Sequence, residues 1–185
     1  MRAEIIEDME GRSPAVVFPP GADYVDLRKN PHAVEQIEPA RRYPPLRIFL
    51  SAVNSADSPF SSASVSTQAD SPASVSGGES YEFASQARLV FADPSLNFKR
   101  ERFASLTAGL KELLERDSGK ATRAVLRILH CDFPAQGRRG FCLSLRLVAH
   151  AVSAEQAEMR CGLGLALLQQ ALLFSARALR QQFGE

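Results

Sequence analysis

The sequence predicts an α+β fold. The expected form is a two-layer sandwich, a three-stranded antiparallel sheet covered on one face by two helices in the order strand, helix, strand, strand, helix. Three observations carry this reading. Residues 81–91 and 139–151 alternate apolar and polar side chains, the pattern of half-buried strands. Residues 94–117 and 153–183 repeat apolar side chains every three or four positions, the pattern of helices. Nine of the eleven prolines precede residue 80, and residues 51–80 hold eleven serines, so the regular patterns are confined to the C-terminal part of the 185-residue chain.

In chain order, residues 1–50 form a Pro-rich, largely irregular segment. Its apolar patches AVVF (15–18) and LRIFLSAV (46–53) are bounded by Pro19-Pro20 and Pro44-Pro45, which favour extended neighbours, so each patch can add a strand or dock on a partner. Residues 51–80 have too little apolar surface to offset the entropy of ordering, which predicts a Ser-rich disordered linker. Residues 81–185 carry the α+β domain. Its first strand, YEFASQARLVF, turns Tyr81, Phe83, Ala87, Leu89 and Phe91 to one face. Asp93-Pro94 then opens a helix over about 94–117, with Phe103, Leu106, Leu110, Leu113 and Leu114 on its buried side.

Two strands follow at 121–133 and 139–151, joined by a turn around Pro134–Gly137. The second sends Phe141, Leu143, Leu145, Leu147 and Ala149 one way, and the charge-free set Ala124, Leu126 and Ile128 faces the core from its partner. Ser153 with Gln156 spells a capping box for a last helix reaching about Phe183. That helix is apolar on more than one face, so it has more surface to bury than one sheet can cover.

The formal charge is +1, from 22 basic and 21 acidic residues, but the charges are unevenly spread. Residues 1–80 hold 7 basic and 11 acidic side chains, and residues 81–185 hold 15 and 10. The basic half is therefore the part suited to an anionic partner. Arg88, Arg123, Arg127 and Arg146 are expected together on the uncovered sheet face, where neighbouring arginines repel unless an anion or carboxylate sits among them.

Catalytic motifs are not apparent, and the sequence predicts no enzyme, no cofactor and no metal. Cys142 and His150 lie about 26 Å apart along one strand, too far to share an ion. Gly162-x-Gly164 falls inside a helix and lacks a third glycine, so it is not a dinucleotide loop. Cys131, Cys142 and Cys161 read as small apolar fillers in a reducing compartment. The acidic N-terminus resembles neither a secretory nor a transit signal, which predicts a cytoplasmic or nuclear protein. The stretch Cys161–Ala176 is shorter than a membrane span requires, so none is expected.

The strand, helix, strand, strand, helix order, the segment VFADPSL (90–96), and FCLSLRLVAHA (141–151) leading through SAEQAEMR (153–160) into CGLGLALLQQALLF (161–174) make up a pattern over the last hundred residues. In that pattern the chain resembles the Pcc-type (LAGE-type) small subunits of the KEOPS/EKC complex. Met159-Arg160 stands in place of the family's Leu-Arg, Gly164 replaces its common Asn or Ser, and residues 1–80 have no counterpart. The resemblance implies a non-catalytic subunit that dimerises, packs its helices against the catalytic subunit and helps hold tRNA for threonylcarbamoyladenosine modification. Arg88, Arg123, Arg127, Arg146 and Arg160 would then meet tRNA, and Leu163, Leu167, Phe174 and Leu179 a protein partner. Two further readings stand beside it: an accessory subunit of another large assembly, ribosomal or respiratory, and a homodimerising module with no RNA role.

Overall fold

The computed structural model describes residues 1–7, 16–21, 24–75, 78–116 and 122–183. The fold is α+β, but the sheet is a mixed one of six strands, not three antiparallel ones. The strands are β1 (Arg2–Glu7), β2 (Val16–Val17), β3 (Phe60–Val75), β4 (Gly78–Phe91), β5 (Thr122–Phe133) and β6 (Arg138–Ala151). They run in the order β1-β5-β6-β4-β3, with β2 continuing beside β5. The expected antiparallel core β4-β6-β5 is present. The N-terminal eighty residues extend it at both edges, β1 and β2 parallel to β5 and β3 antiparallel to β4.

Of the two apolar patches the first adds a strand as expected, Val16–Val17 beside β5, while the second patch and the Ser-rich stretch need correction. The patch at 46–53 lies in a helix, α2 (Pro44–Val53), preceded by the short α1 (Glu38–Arg42). Pro44 and Pro45 sit in the first turn of α2, where a missing N–H costs no helical bond, so the proline pair starts a helix here. Leu46, Phe49, Leu50 and Val53 then share its buried face. The Ser-rich stretch expected to be disordered supplies β3. A strand needs only a ladder and one buried face, and β3 has both: its backbone pairs with β4, while Phe60 and Ala63 are buried and Val65 packs on the core. The exposed Ser64 and Ser66 face outward, which suits an edge strand that must not recruit further strands.

Side-chain hydrogen bonds hold this N-terminal part in place. Arg28 Nη1 donates to the carbonyls of Ser55, Ser58 and Phe60 at 2.9, 2.7 and 3.1 Å, and Nη2 to that of Ala56 at 3.1 Å, gathering the α2–β3 turn around one guanidinium. Buried Asn54 accepts from Ser62 N at 2.9 Å and donates to Leu50 O at 2.8 Å.

The helix expected over 94–117 is divided into a 3-10 segment Pro94–Phe98 and α3 (Arg100–Arg116). Asp93 caps the first piece, accepting from Ser95 N at 2.9 Å. Asn97 ties the segment to β4 by bonds to both the N–H and the C=O of Phe91, at 2.7 and 2.9 Å. The last helix, α4 (Ala154–Phe183), starts at the expected cap, Gln156 N donating to Ser153 Oγ at 3.2 Å.

Helices α2, α3 and α4 cover one sheet face. Between them lies a continuous core that includes Phe49, Phe60, Leu89, Phe103, Leu126, Leu145 and Leu165. The inward faces of β4, β5 and β6 are those the alternation predicts. Helix α2 lies against α4, where an added Cβ on Gly162 would stand 3.0 Å from Pro45 Cγ. Part of the apolar surplus of α4 is thus covered by the patch at 46–53. By length and composition α4 is apolar enough over Ala154–Leu179 to cross a membrane, longer than the stretch read from the sequence. Its packing against β6, α3 and α2 uses much of that apolar surface inside the fold.

Candidate nucleic-acid interface

Among the described residues, no α-helix packs on the second sheet face. At one end it is closed by a small apolar cluster of Val16, Val90, Leu129, Cys131, Phe133 and Cys142, with Phe18 and Phe98 packed on it. The rings of Phe18 and Phe98 stand 6.0 and 5.4 Å from that of Phe133, and the Arg138 guanidinium lies 4.1 Å from the Phe98 ring centre. Residues 16–18 of the first apolar patch thus fold back onto the sheet. The rest of the face forms a cavity of about 440 Å³ lined by Glu82, Gln86, Arg123, Arg127, Ser144, Arg146 and His150 over a floor of Val125 and Val148.

Strand register explains why these side chains meet. Directly paired residues on neighbouring strands project from the same side of a sheet. Pairing Val125 with Arg146 and Arg146 with Gln86 makes one row, and pairing Arg127 with Ser144 and Ser144 with Arg88 makes the next. Arg123 follows opposite Val148, with Glu4 entering from β1 beside Val125.

The charges are only partly compensated. Arg123 Nε is 3.8 Å from Glu4, Arg146 Nη2 is 3.5 Å from Glu82, and His150 Nε2 is 3.7 Å from the other Glu82 oxygen. These are long, partly solvated pairs worth about 0–1 kcal/mol each, easily exchanged for a stronger acceptor. Arg127 and Arg88 have no acceptor among the described residues, and the Arg88 Nε is buried without one. A buried donor left without an acceptor costs about 1–3 kcal/mol, which an incoming oxyanion can recover.

The structure therefore brings Arg123, Arg127 and Arg146 into one cavity and sets Arg88 across Ser144 from Arg127. Arg160 is elsewhere: its Nη1 donates to the His150 carbonyl at 2.7 Å, so it ties α4 to the end of β6. Gln86, Ser144, His150, Glu82 and Glu4 join the site beyond the arginines that the sequence predicts. The first four occupy the same alternating positions as the arginines, whereas Glu4 depends on a parallel pairing that no local pattern announces.

On the helical side, Leu163 and Phe174 are 64% and 63% exposed and Leu167 38%. With Met159 they form a stripe along α4, and Leu167 and Phe174 border a hollow of about 300 Å³ that also includes Leu113 and Met1. Leu179 is partly buried against the core and lines a second hollow with Phe174.

All three cysteines are buried and free. The hydrogen bond to the Cys142 sulfur and burial push the Cys131 thiol up, and burial pushes Cys161 up to about 11, so both remain protonated at neutral pH. The hydrogen bond from Cys131, with the charge of nearby Arg88, holds the Cys142 thiol below its usual value against the opposing effect of burial. Among the described residues no three His, Cys, Asp or Glu side chains gather where they could hold a metal ion. Comparisons with protein-family models, curated proteins and solved structures find no match for this chain.

Proposed function

We propose that this chain is a non-catalytic accessory subunit of a larger assembly, holding RNA on its arginine-bearing sheet face and a protein partner on the exposed stripe of α4. The observation that carries this reading is the uncovered face itself, where four arginines meet two carboxylates and two of the arginines have no acceptor among the described residues. Phosphates supply the missing acceptors, and guanidinium forks match their geometry.

In its specific form the proposal is a KEOPS-type small subunit, cytoplasmic or nuclear, that contacts the catalytic subunit and tRNA. The strand, helix, strand, strand, helix order of the family runs from β4 to α4, which supports the likeness, while β1–β3, α1 and α2 lie outside it. The exposed Leu163, Leu167 and Phe174 favour a second reading, in which two copies of the chain pair through α4.

The full-length chain is expected to bind tRNA with an affinity that falls steeply as salt is raised. Arg123→Gln, Arg127→Gln and Arg146→Gln should each weaken binding and lower the log–log salt slope by about 1. Fluorescence anisotropy across a salt series checks this. Absence of binding at low salt, or three silent substitutions, would remove the RNA role.

A further inference from the structure

We infer that the row Arg127–Ser144–Arg88 is a site for the phosphate of a phosphomonoester, with the adjoining cavity receiving the nucleoside that carries it. This deepens the RNA reading and rests on the same face. Ile6, Arg127, Ser144, Arg88 and Ser64 stand in register across five strands, and no carboxylate belongs to that row. With strands about 4.8 Å apart, the two arginines rise from backbones about 10 Å apart and can bracket a tetrahedral oxyanion above the serine between them.

That serine is prepared to contribute. Ser144 is 4% exposed, and its Oγ accepts from Gln86 Nε2 at 3.1 Å, which leaves its hydroxyl hydrogen without an acceptor among the described residues. Beside it the buried Arg88 Nε is also without an acceptor. Arg127 and Ser144 thus line the cavity, and Arg88 stands in the same strand row with a buried Nε that no oxygen of the described residues accepts from.

Charge selects the ligand class. Arg123 and Arg146 are each opposed by a glutamate, so the two charges left over are those of Arg127 and Arg88. A phosphomonoester, close to a dianion at neutral pH, balances both, whereas an internal phosphodiester balances one. The neighbouring cavity of about 440 Å³ falls within the usual size of small-ligand sites, and Val125 and Val148 give it an apolar floor among polar walls. The shared chemistry is a terminal phosphate on a nucleoside, whether of a free mononucleotide or of an RNA end.

The test compares three probes on the full-length protein: adenosine 5′-monophosphate, a short RNA bearing a 5′-phosphate, and the same RNA with a 5′-hydroxyl. The phosphorylated RNA is expected to bind about tenfold tighter than the hydroxyl form. Arg127→Gln, an exposed position that folding tolerates, should abolish the difference, and Ser144→Ala should reduce it. If neither RNA binds but the mononucleotide does, and Arg127→Gln removes it, the phosphate site stands and the RNA reading falls. If both RNAs bind equally and Arg127→Gln leaves them equal, the phosphate site is overturned while the RNA reading survives.

Discussion

Replacing Phe49 by alanine is expected to lower the unfolding free energy by about 3–5 kcal/mol, the usual cost of removing a buried aromatic ring. Phe49 is 1% exposed on α2, beside Leu46, Leu50 and Val53, which are fully buried. It belongs to the same core as Phe60 of β3 and Phe103 of α3. In a chain of this size each kcal/mol moves the melting temperature by roughly 2–4 °C, so a fall of about 10 °C is expected in a thermal melt. Were residues 1–53 an appendage to an independent domain, the same change would cost less than about 0.5 kcal/mol, as surface substitutions do. The experiment therefore decides whether the N-terminal segment builds the core.

Gly140→Ala is the second change with a large expected effect. Gly140 lies on β6, and a Cβ there would run into the backbone carbonyl oxygen of Asn97 while standing 3.0 Å from the rings of Phe133 and Phe98. Asn97 cannot easily retreat, because its side chain is bonded to both backbone groups of Phe91. Overpacking of this kind typically costs about 1–3 kcal/mol, and contact with an anchored backbone places this site at the upper end. Gly109→Ala on α3 is a useful control. Its added methyl meets Ser175 Oγ at 3.4 Å, an ordinary contact, and the helix gains from the replacement. Urea denaturation of the two variants should show opposite shifts in midpoint; equal shifts would contradict the packing described around Gly140.

The C-terminal hundred residues were legible because period-two and helical spacing are local signals. The facing of β4, β5 and β6 follows from which alternate set is free of charge, and the start of α4 from Ser153 and Gln156. The N-terminal half departs from its local sequence signals for two physical reasons. A proline pair favours extended neighbours, but Pro44 and Pro45 fit a first helical turn, with Leu46, Phe49, Leu50 and Val53 behind them at helical spacing. High serine content argues against order, but β3 draws its stability from pairing with β4 and from Phe60, Ala63 and Val65, a non-local gain that composition does not register.

The arginine face was half legible for the same reason. Strand alternation placed Arg88, Arg123, Arg127 and Arg146 on one side of the sheet. The register that sets Ser144 between Arg127 and Arg88, and brings Glu4 to Arg123, is a property of pairing between distant segments. No local pattern places Arg160 on that face, and its bond to the His150 carbonyl gives it a structural task.

The most direct measurement is an NMR titration of the full-length protein with tRNA, following the arginine Nε–Hε resonances. If the uncovered sheet face holds the RNA, Arg88 and Arg127 should shift most, with Arg123 and Arg146 moving as they leave Glu4 and Glu82, while Arg42, Arg47 and Arg116 on the helices stay still. Shifts confined to the helical arginines, with Arg88 and Arg127 unmoved at saturation, would contradict the account.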